Sequence, residues 1–272
     1  MKVIVARRFA AVLIATSLLA CSGDGPKVSD RLRAQLPNPQ DSSAGSLDLG
    51  SSSYQPGQLG AIGTVAGTVT LDGSAATQEV VTVTKDQRVC GLSAPGAFET
   101  NAKRQLSDAI VWIADVKTGK TMPIDKRVTV SSEDCQIDPR VQATINSATV
   151  NVFNDDRLLH TIVFLRPGTN DTLLKLPFFN VGQVVPTEKL AKMSGIIEVR
   201  CVQHPWTHGY IAVFDHPYFA VTESDGSYNI DSLPPGRYRM MVWHEGMTQP
   251  VERKVKVEEG RVDLVDVSLN GR

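Results

Sequence analysis

From residue 64 onward, apolar and polar positions alternate with period two. Val65, Val69 and Leu71 share one parity up to an Asp72-Gly73 turn, and Val81 and Val83 resume it beyond. Ile110, Trp112 and Ala114 repeat the pattern, as do Val128 and Val130, then Ala148, Val150 and Val152. Such alternation turns one side of a β-strand toward a core and the other toward solvent. A strand over 161–165 lacks it and is expected to be covered on both faces. Residues 166–195 are less regular, with a short helix expected over 187–192, and 196–199 leads as a strand straight into Cys201. Further strands are expected over 210–214, 219–222, 228–230, 238–244 and 251–257, with turns at Asp225-Gly226 and Pro234-Pro235-Gly236. Short strands with frequent turns place the chain in the all-β class, as a sandwich or barrel.

The N-terminal part breaks this pattern. Residues 22–60 are rich in Ser, Gly, Pro, Gln and Asp. They bury too little apolar area to offset chain entropy, so 21–60 is expected to be a flexible tether. Ahead of it, Lys2, Arg7 and Arg8 precede an apolar run over 9–20, the layout of a secretory signal peptide at 1–20. Leu18-Leu19-Ala20-Cys21 resembles the lipobox of bacterial lipoproteins. The resemblance implies acylation of Cys21, a membrane anchor, and an exported protein held at the outer membrane facing the periplasm. Ser22 in place of Asp does not favour retention at the inner membrane.

Charge narrows the function classes. Lys plus Arg number 28 and Asp plus Glu 29, so the basic excess of a nucleic-acid binder is missing. No window after residue 20 holds the roughly 18 apolar residues of a membrane span. Nucleophile-elbow, zinc-protease and phosphate-loop motifs are all absent. Cys201 and His204, three residues apart in an extended loop, would face apart as a nucleophile–base pair and have no orienting acid. The chain therefore does not read as an enzyme.

Cysteine and histidine carry the chemistry. With Cys21 set aside, Cys90, Cys135 and Cys201 remain. In an oxidising compartment an odd set implies one bridge and one thiol with another task. A Cys90–Cys135 disulfide is the favoured pairing; a reactive or metal-binding thiol pair is the alternative, with no neighbouring histidine in the sequence to support it. Cys201-Val202-Gln203-His204 leaves a strand with a thiolate and an imidazole that can reach one ion, and His160 opens the strand over 161–165. One soft thiolate with two imidazoles suits copper, and the same set can hold zinc. A buried, hydrogen-bonded Cys–His pair without metal is the competing reading. His216 and His244 read as structural, with a second metal site as their alternative use.

These residues resemble those of the cupredoxin superfamily. Residues 154–160 look like its polar stretch running into the first ligand histidine, and Cys201 to His204 has its Cys-x-x-His spacing. The run over 200–208, continuing through 215–222, is closer still to exported bacterial proteins that join a cupredoxin-like domain to a carboxypeptidase-regulatory-like sandwich. The resemblance spans about residues 62–270. It implies a cupredoxin-like domain over 61–215 packed with a carboxypeptidase-regulatory-like portion over 216–272, which can draw on strands from 62–85. It also implies one copper ion held by His160, Cys201 and His204, with an envelope redox protein as partner. Two departures bear on the site. Thr207 stands where the subgroup usually has Met, which leaves His208, a carbonyl or Met193 as substitute axial ligands. Thr161 stands where the family has Asn. The alternative is a metal-free sandwich lipoprotein that binds a carbohydrate or protein.

Overall fold

The computed structural model describes residues 49, 53–72, 80–98, 100–124, 127–190 and 192–270. The expected signal peptide, Cys21 and most of the expected tether lie outside the described residues. The described residues are almost entirely β, with strands β1 to β21 in chain order and one four-residue helix, α1 (Gln87–Cys90).

Four sheets carry the architecture. The first runs β13 (Gln183–Thr187), β10 (Thr149–Asn154), β7 (Arg127–Glu133), β8 (Gln136–Asp138). The second runs β12 (Thr172–Phe178), β11 (His160–Leu165), β14 (Gly195–Cys201), β15 (His208–Phe214), β9 (Val141–Ile145). The third runs β16 (Phe219–Val221), β5 (Ile110–Ile113), β18 (Gly236–Trp243), β19 (Val251–Val257). The fourth joins β17 (Ser227–Leu233), β2 (Gly63–Asp72) and β20 (Val262–Leu264), with β21 (Val267–Asn270) also on β2. Two small ladders pair β1 (Gln55–Pro56) with β6 (Thr118–Gly119), and β3 (Val80–Thr82) with β4 (Ser93–Pro95).

Strand alternation sorts the side chains into three successive cores. In β14 and β15, Ile197, Val199, Ile211 and Val213 meet Val130, Val150 and Val152 of the first sheet. The opposite parity, Ile196, Ala212 and Phe214, meets Ile110, Trp112 and Trp243 of the third. In β5, Val111 and Ile113 then turn away toward Val65, Val69, Tyr228 and Ile230 of the fourth sheet. All four residues of β5 are buried because both faces are covered, so the alternation expected at Ile110, Trp112 and Ala114 is corrected: Val111 and Ile113 are apolar and buried as well.

Several expectations need correction. The described residues of 187–192 form no helix: Pro186 belongs to β13, and the Thr187 hydroxyl accepts the Lys189 N–H at 3.2 Å, closing a turn in its place. The irregular stretch 166–195 holds β12 and β13. Cys90 ends α1. The tether does not extend to residue 60, because Tyr54 is 7% exposed, donates its hydroxyl to the Lys120 carbonyl and packs edge-on against Tyr218. β2 hydrogen-bonds to strands beyond residue 216, as the expected draw on strands from 62–85 allows, and β5, outside that range, does so too.

Candidate metal centre

The second sheet delivers the candidate ligands. Asn154, fully buried at the end of β10, donates from its amide to the carbonyls of Asp156, Leu158 and Asn180 and so shapes the loop into β11. That loop delivers His160, which is fully buried. Antiparallel pairing sets Ile162 opposite Cys201, so the end of β14 lies beside the start of β11. The loop beyond Cys201 is tied down on both sides. Val202 N–H donates to the Thr161 carbonyl, and Cys201 N–H and Thr207 N–H close a turn on Thr207 and His204 carbonyls. Gln203 accepts the Thr161 N–H at 2.7 Å and donates to its hydroxyl at 2.9 Å. Thr161 thus anchors the residue between the thiol and the second imidazole.

Three donor atoms converge. His160 Nδ1 lies 3.4 Å from Cys201 Sγ, Cys201 Sγ 3.5 Å from His204 Nδ1, and the two Nδ1 atoms are 3.2 Å apart. A point equidistant from the three is about 2 Å from each, close to metal–nitrogen and metal–sulfur bond lengths of about 2.0–2.3 Å. The donor set therefore fits a single soft ion.

Each imidazole turns its other nitrogen to a carboxylate. His160 Nε2 is 2.9 Å from Asp156 Oδ2, and His204 Nε2 is 3.0 Å from Asp86 Oδ2. Asp156 is itself held by the Cys135 N–H at 2.9 Å. Such carboxylates leave both Nδ1 lone pairs for a metal and make the rings better donors. Burial pushes the His160 pKa down, but the contacts with Asp156 and Cys201 outweigh it and raise it to about 9. Burial likewise favours the neutral Cys201 thiol, yet His160 and neighbouring backbone N–H groups bring it below its ordinary value. Burial, helped by the His160 charge, holds His204 below its ordinary value against the pull of Asp86.

Cys90 and Cys135 are joined in a disulfide across 45 residues, fastening α1 to the turn between β7 and β8. Thr207, fully buried, donates its hydroxyl to the Cys135 carbonyl. His208 is not brought to the cluster. Its Nδ1 lies 2.9 Å from the Trp206 carbonyl and its Nε2 3.0 Å from Glu245 Oε2, so the expectation of a ligand there is corrected. Met193 packs against the core between the first and second sheets. His244 stacks on Phe98 at 5.0 Å, and His216 lies among Phe214, Tyr54 and Tyr218. Neither joins a group of three potential ligands among the described residues.

The sequence reading missed Asp86 and Asp156, and its expectation that Cys201 and His204 face apart with no orienting acid is corrected: they meet at 3.5 Å with Asp86 behind His204. Asp156 stood within the polar stretch before His160, four residues away, a spacing that could have marked it. Asp86 lies 118 residues from His204, and nothing in the sequence links them.

Residues 210–270 match the family model of the carboxypeptidase regulatory-like domain. No curated protein sequence matches the chain. Among solved structures it is similar to the copper-containing nitrite reductase of Thermus scotoductus SA-01, at 20% identity and TM-score 0.29, over 39% of this chain and 25% of that one. It is also similar to a purple cupredoxin from Nitrosopumilus maritimus, at 21% identity and TM-score 0.28, over 33% of this chain and 99% of that one. A reduced point mutant of amicyanin follows at 19% identity and TM-score 0.27, over 34% of this chain and 85% of that one. The chain spans a quarter of the nitrite reductase. It is an all-β protein with a carboxypeptidase regulatory-like match over 210–270 and cupredoxins among its structural neighbours.

Proposed function

We propose that the chain is a non-enzymatic, lipid-anchored envelope protein that holds one copper ion through His160, Cys201 and His204, for one-electron transfer or copper handling. The observation that carries this reading is the convergence of one sulfur and two Nδ1 atoms within 3.5 Å of one another in a buried pocket. A His₂Cys set of this kind is the donor arrangement of blue-copper electron carriers. The ligands are held by sheet pairing and by Gln203, which limits their rearrangement when the ion changes charge. Thr207 supplies no thioether, and two carboxylates stand behind the imidazoles, so the site favours Cu(II) and a low reduction potential. Cys21 would hold the body at the outer membrane on the periplasmic side. Exposed Leu159 and Val202, next in sequence to His160 and Cys201, give an envelope redox partner an apolar footing.

The test is a visible absorption titration of the chain with Cu(II), beside Cys201→Ser. An intense thiolate-to-copper band that vanishes in the variant is expected. Copper recovered in the flow-through with no band in either protein overturns the reading.

A further inference from the structure

The Cys90–Cys135 bridge lies against the same histidine. Both sulfurs and a ring nitrogen of His204 fall within 4.8 Å of one another, and all three residues are buried. We propose that Cys90, Cys135 and His204 form a second metal site, closed while the sulfurs are bonded to each other and opened by a dithiol reductant to a soft closed-shell cation such as Cu(I) or Zn(II). This inference goes beyond the copper centre and does not rest on it.

Three features of the surroundings support it. His204 points Nδ1 at Cys201 and His160, while Nε2 lies 3.0 Å from the Asp86 carboxylate. Asp86 immediately precedes α1, and its carbonyl accepts the Cys90 N–H at 3.0 Å, so the carboxylate and Cys90 move as one piece. An imidazole has two coordinating ends, and Nε2 faces the segment that carries Asp86 and Cys90. Second, the sulfurs sit in a small apolar core of their own with Val83, Ala94 and Trp206. An apolar lining keeps water from competing for the ion, and thiolates select soft cations. Third, the two Cα atoms are 5.0 Å apart, so freed thiolates need only side-chain rotation to face one ion. Two thiolates and one imidazole make a three-donor set that suits a soft cation.

The redox step balances as a thiol–disulfide exchange. A protein dithiol attacks the bridge through its thiolate, and the Cys90–Cys135 bond gives way to a bond within the reductant. Two electrons and two protons pass to Cys90 and Cys135, and the dithiol leaves as its disulfide. Binding of the cation then displaces the two thiol protons, and the His204 ring proton passes from Nε2 to Nδ1 so that Nε2 can coordinate.

Cd(II) is the probe, because it is soft and does not change oxidation state. Cys201→Ser combined with Cys21→Ser leaves Cys90 and Cys135 as the thiols of the chain, so any thiolate-to-Cd(II) absorption reports the pair. One Cd(II) per chain is expected after reduction with a phosphine, and none in the unreduced protein. Adding Cys90→Ser should abolish the band, and adding His204→Gln should weaken Cd(II) binding at least about tenfold, as loss of a metal ligand or its partner does. No band in this reduced, folded double variant overturns the proposal, as does equal affinity with and without His204, which would mark an adventitious dithiol. Loss of the β-sheet circular dichroism on reduction that Cd(II) does not restore also overturns it, since the dithiol form must keep the fold. The copper reading is decided separately, by the band of the unreduced, unmutated chain.

Discussion

The two carboxylates behind the imidazoles are where single residues decide most. Asp156 is 4% exposed and tied to the Cys135 N–H, whereas the Asp86 side chain is 31% exposed and shares its charge with Lys85. Removing a carboxylate from the far nitrogen of a ligand histidine costs about 10–100-fold in metal affinity. Asp156→Asn should fall at the high end of that range and Asp86→Asn at the low end, in a chelator competition. Both should raise the reduction potential, because a lost negative charge destabilises Cu(II) more than Cu(I). Unchanged potentials in both would remove these groups from the site. A second residue-scale effect concerns acid stability. Burial lowers His216 to about 4 and His244 to about 3, so both are neutral when folded. Between these values and the unfolded value of about 6.5, the unfolded chain binds more protons, and stability falls as pH falls. The effect is complete below the folded values. His216 alone should account for roughly 3 kcal/mol across that window. His216→Asn keeps an acceptor for the Tyr218 N–H without the titration. Its stability should therefore depend less steeply on pH between about 4 and 6.5 in urea unfolding, and a slope equal to the parent's would refute the assignment.

At the scale of elements, close backbone approach sets tolerance. In β2, a Cβ on Gly67 would stand 2.1 Å from the Val265 carbonyl oxygen, at the side of the strand where β20 pairs. Backbone cannot yield as a flexible side chain can, so Gly67→Ala should cost about 1–3 kcal/mol in urea unfolding. Gly60→Ala, with nothing within 4 Å, should leave stability unchanged. Equal midpoints for the two variants would mean that β2 shifts freely against its neighbours. Strand existence was largely legible in the chain, since alternation at Val150 and Val152 or Val65 and Val69 reflects one buried face. At β5 the strand was legible but its second buried face was not, and legibility failed where a hydroxyl closes a turn, as at Thr187. The meeting of His160, Cys201 and His204 was legible because Cys201 and His204 share one loop and His160 opens a strand. Asp86 was not, because only tertiary packing of α1 brings it to His204.

For the whole molecule, the governing fact is that four sheets share three cores. The sheet bearing His160 and Cys201 is covered on one side by the first sheet and on the other by the third. The third sheet includes β5, whose partners β16 and β18 lie beyond residue 216. Removing 216–272 would strip β2 and β5 of their ladders and expose Ile196, Ala212 and Phe214, which now meet Trp112 and Trp243. The candidate ligands would all remain, yet the chain ending at 215 should give neither β-sheet circular dichroism nor a thiolate-to-copper band. In the intact chain the same coupling should make unfolding one event. Trp112 is fully buried between the sheets, and Trp112→Ala should cost about 3–5 kcal/mol. Its effect should reach a site it does not touch: loss of sheet signal and exposure of the Cys201 thiol to a thiol reagent should shift together to lower denaturant. A thiol that stays protected after the third and fourth sheets have melted would show that the sandwich holding it stands alone, and the shared-core account would fail.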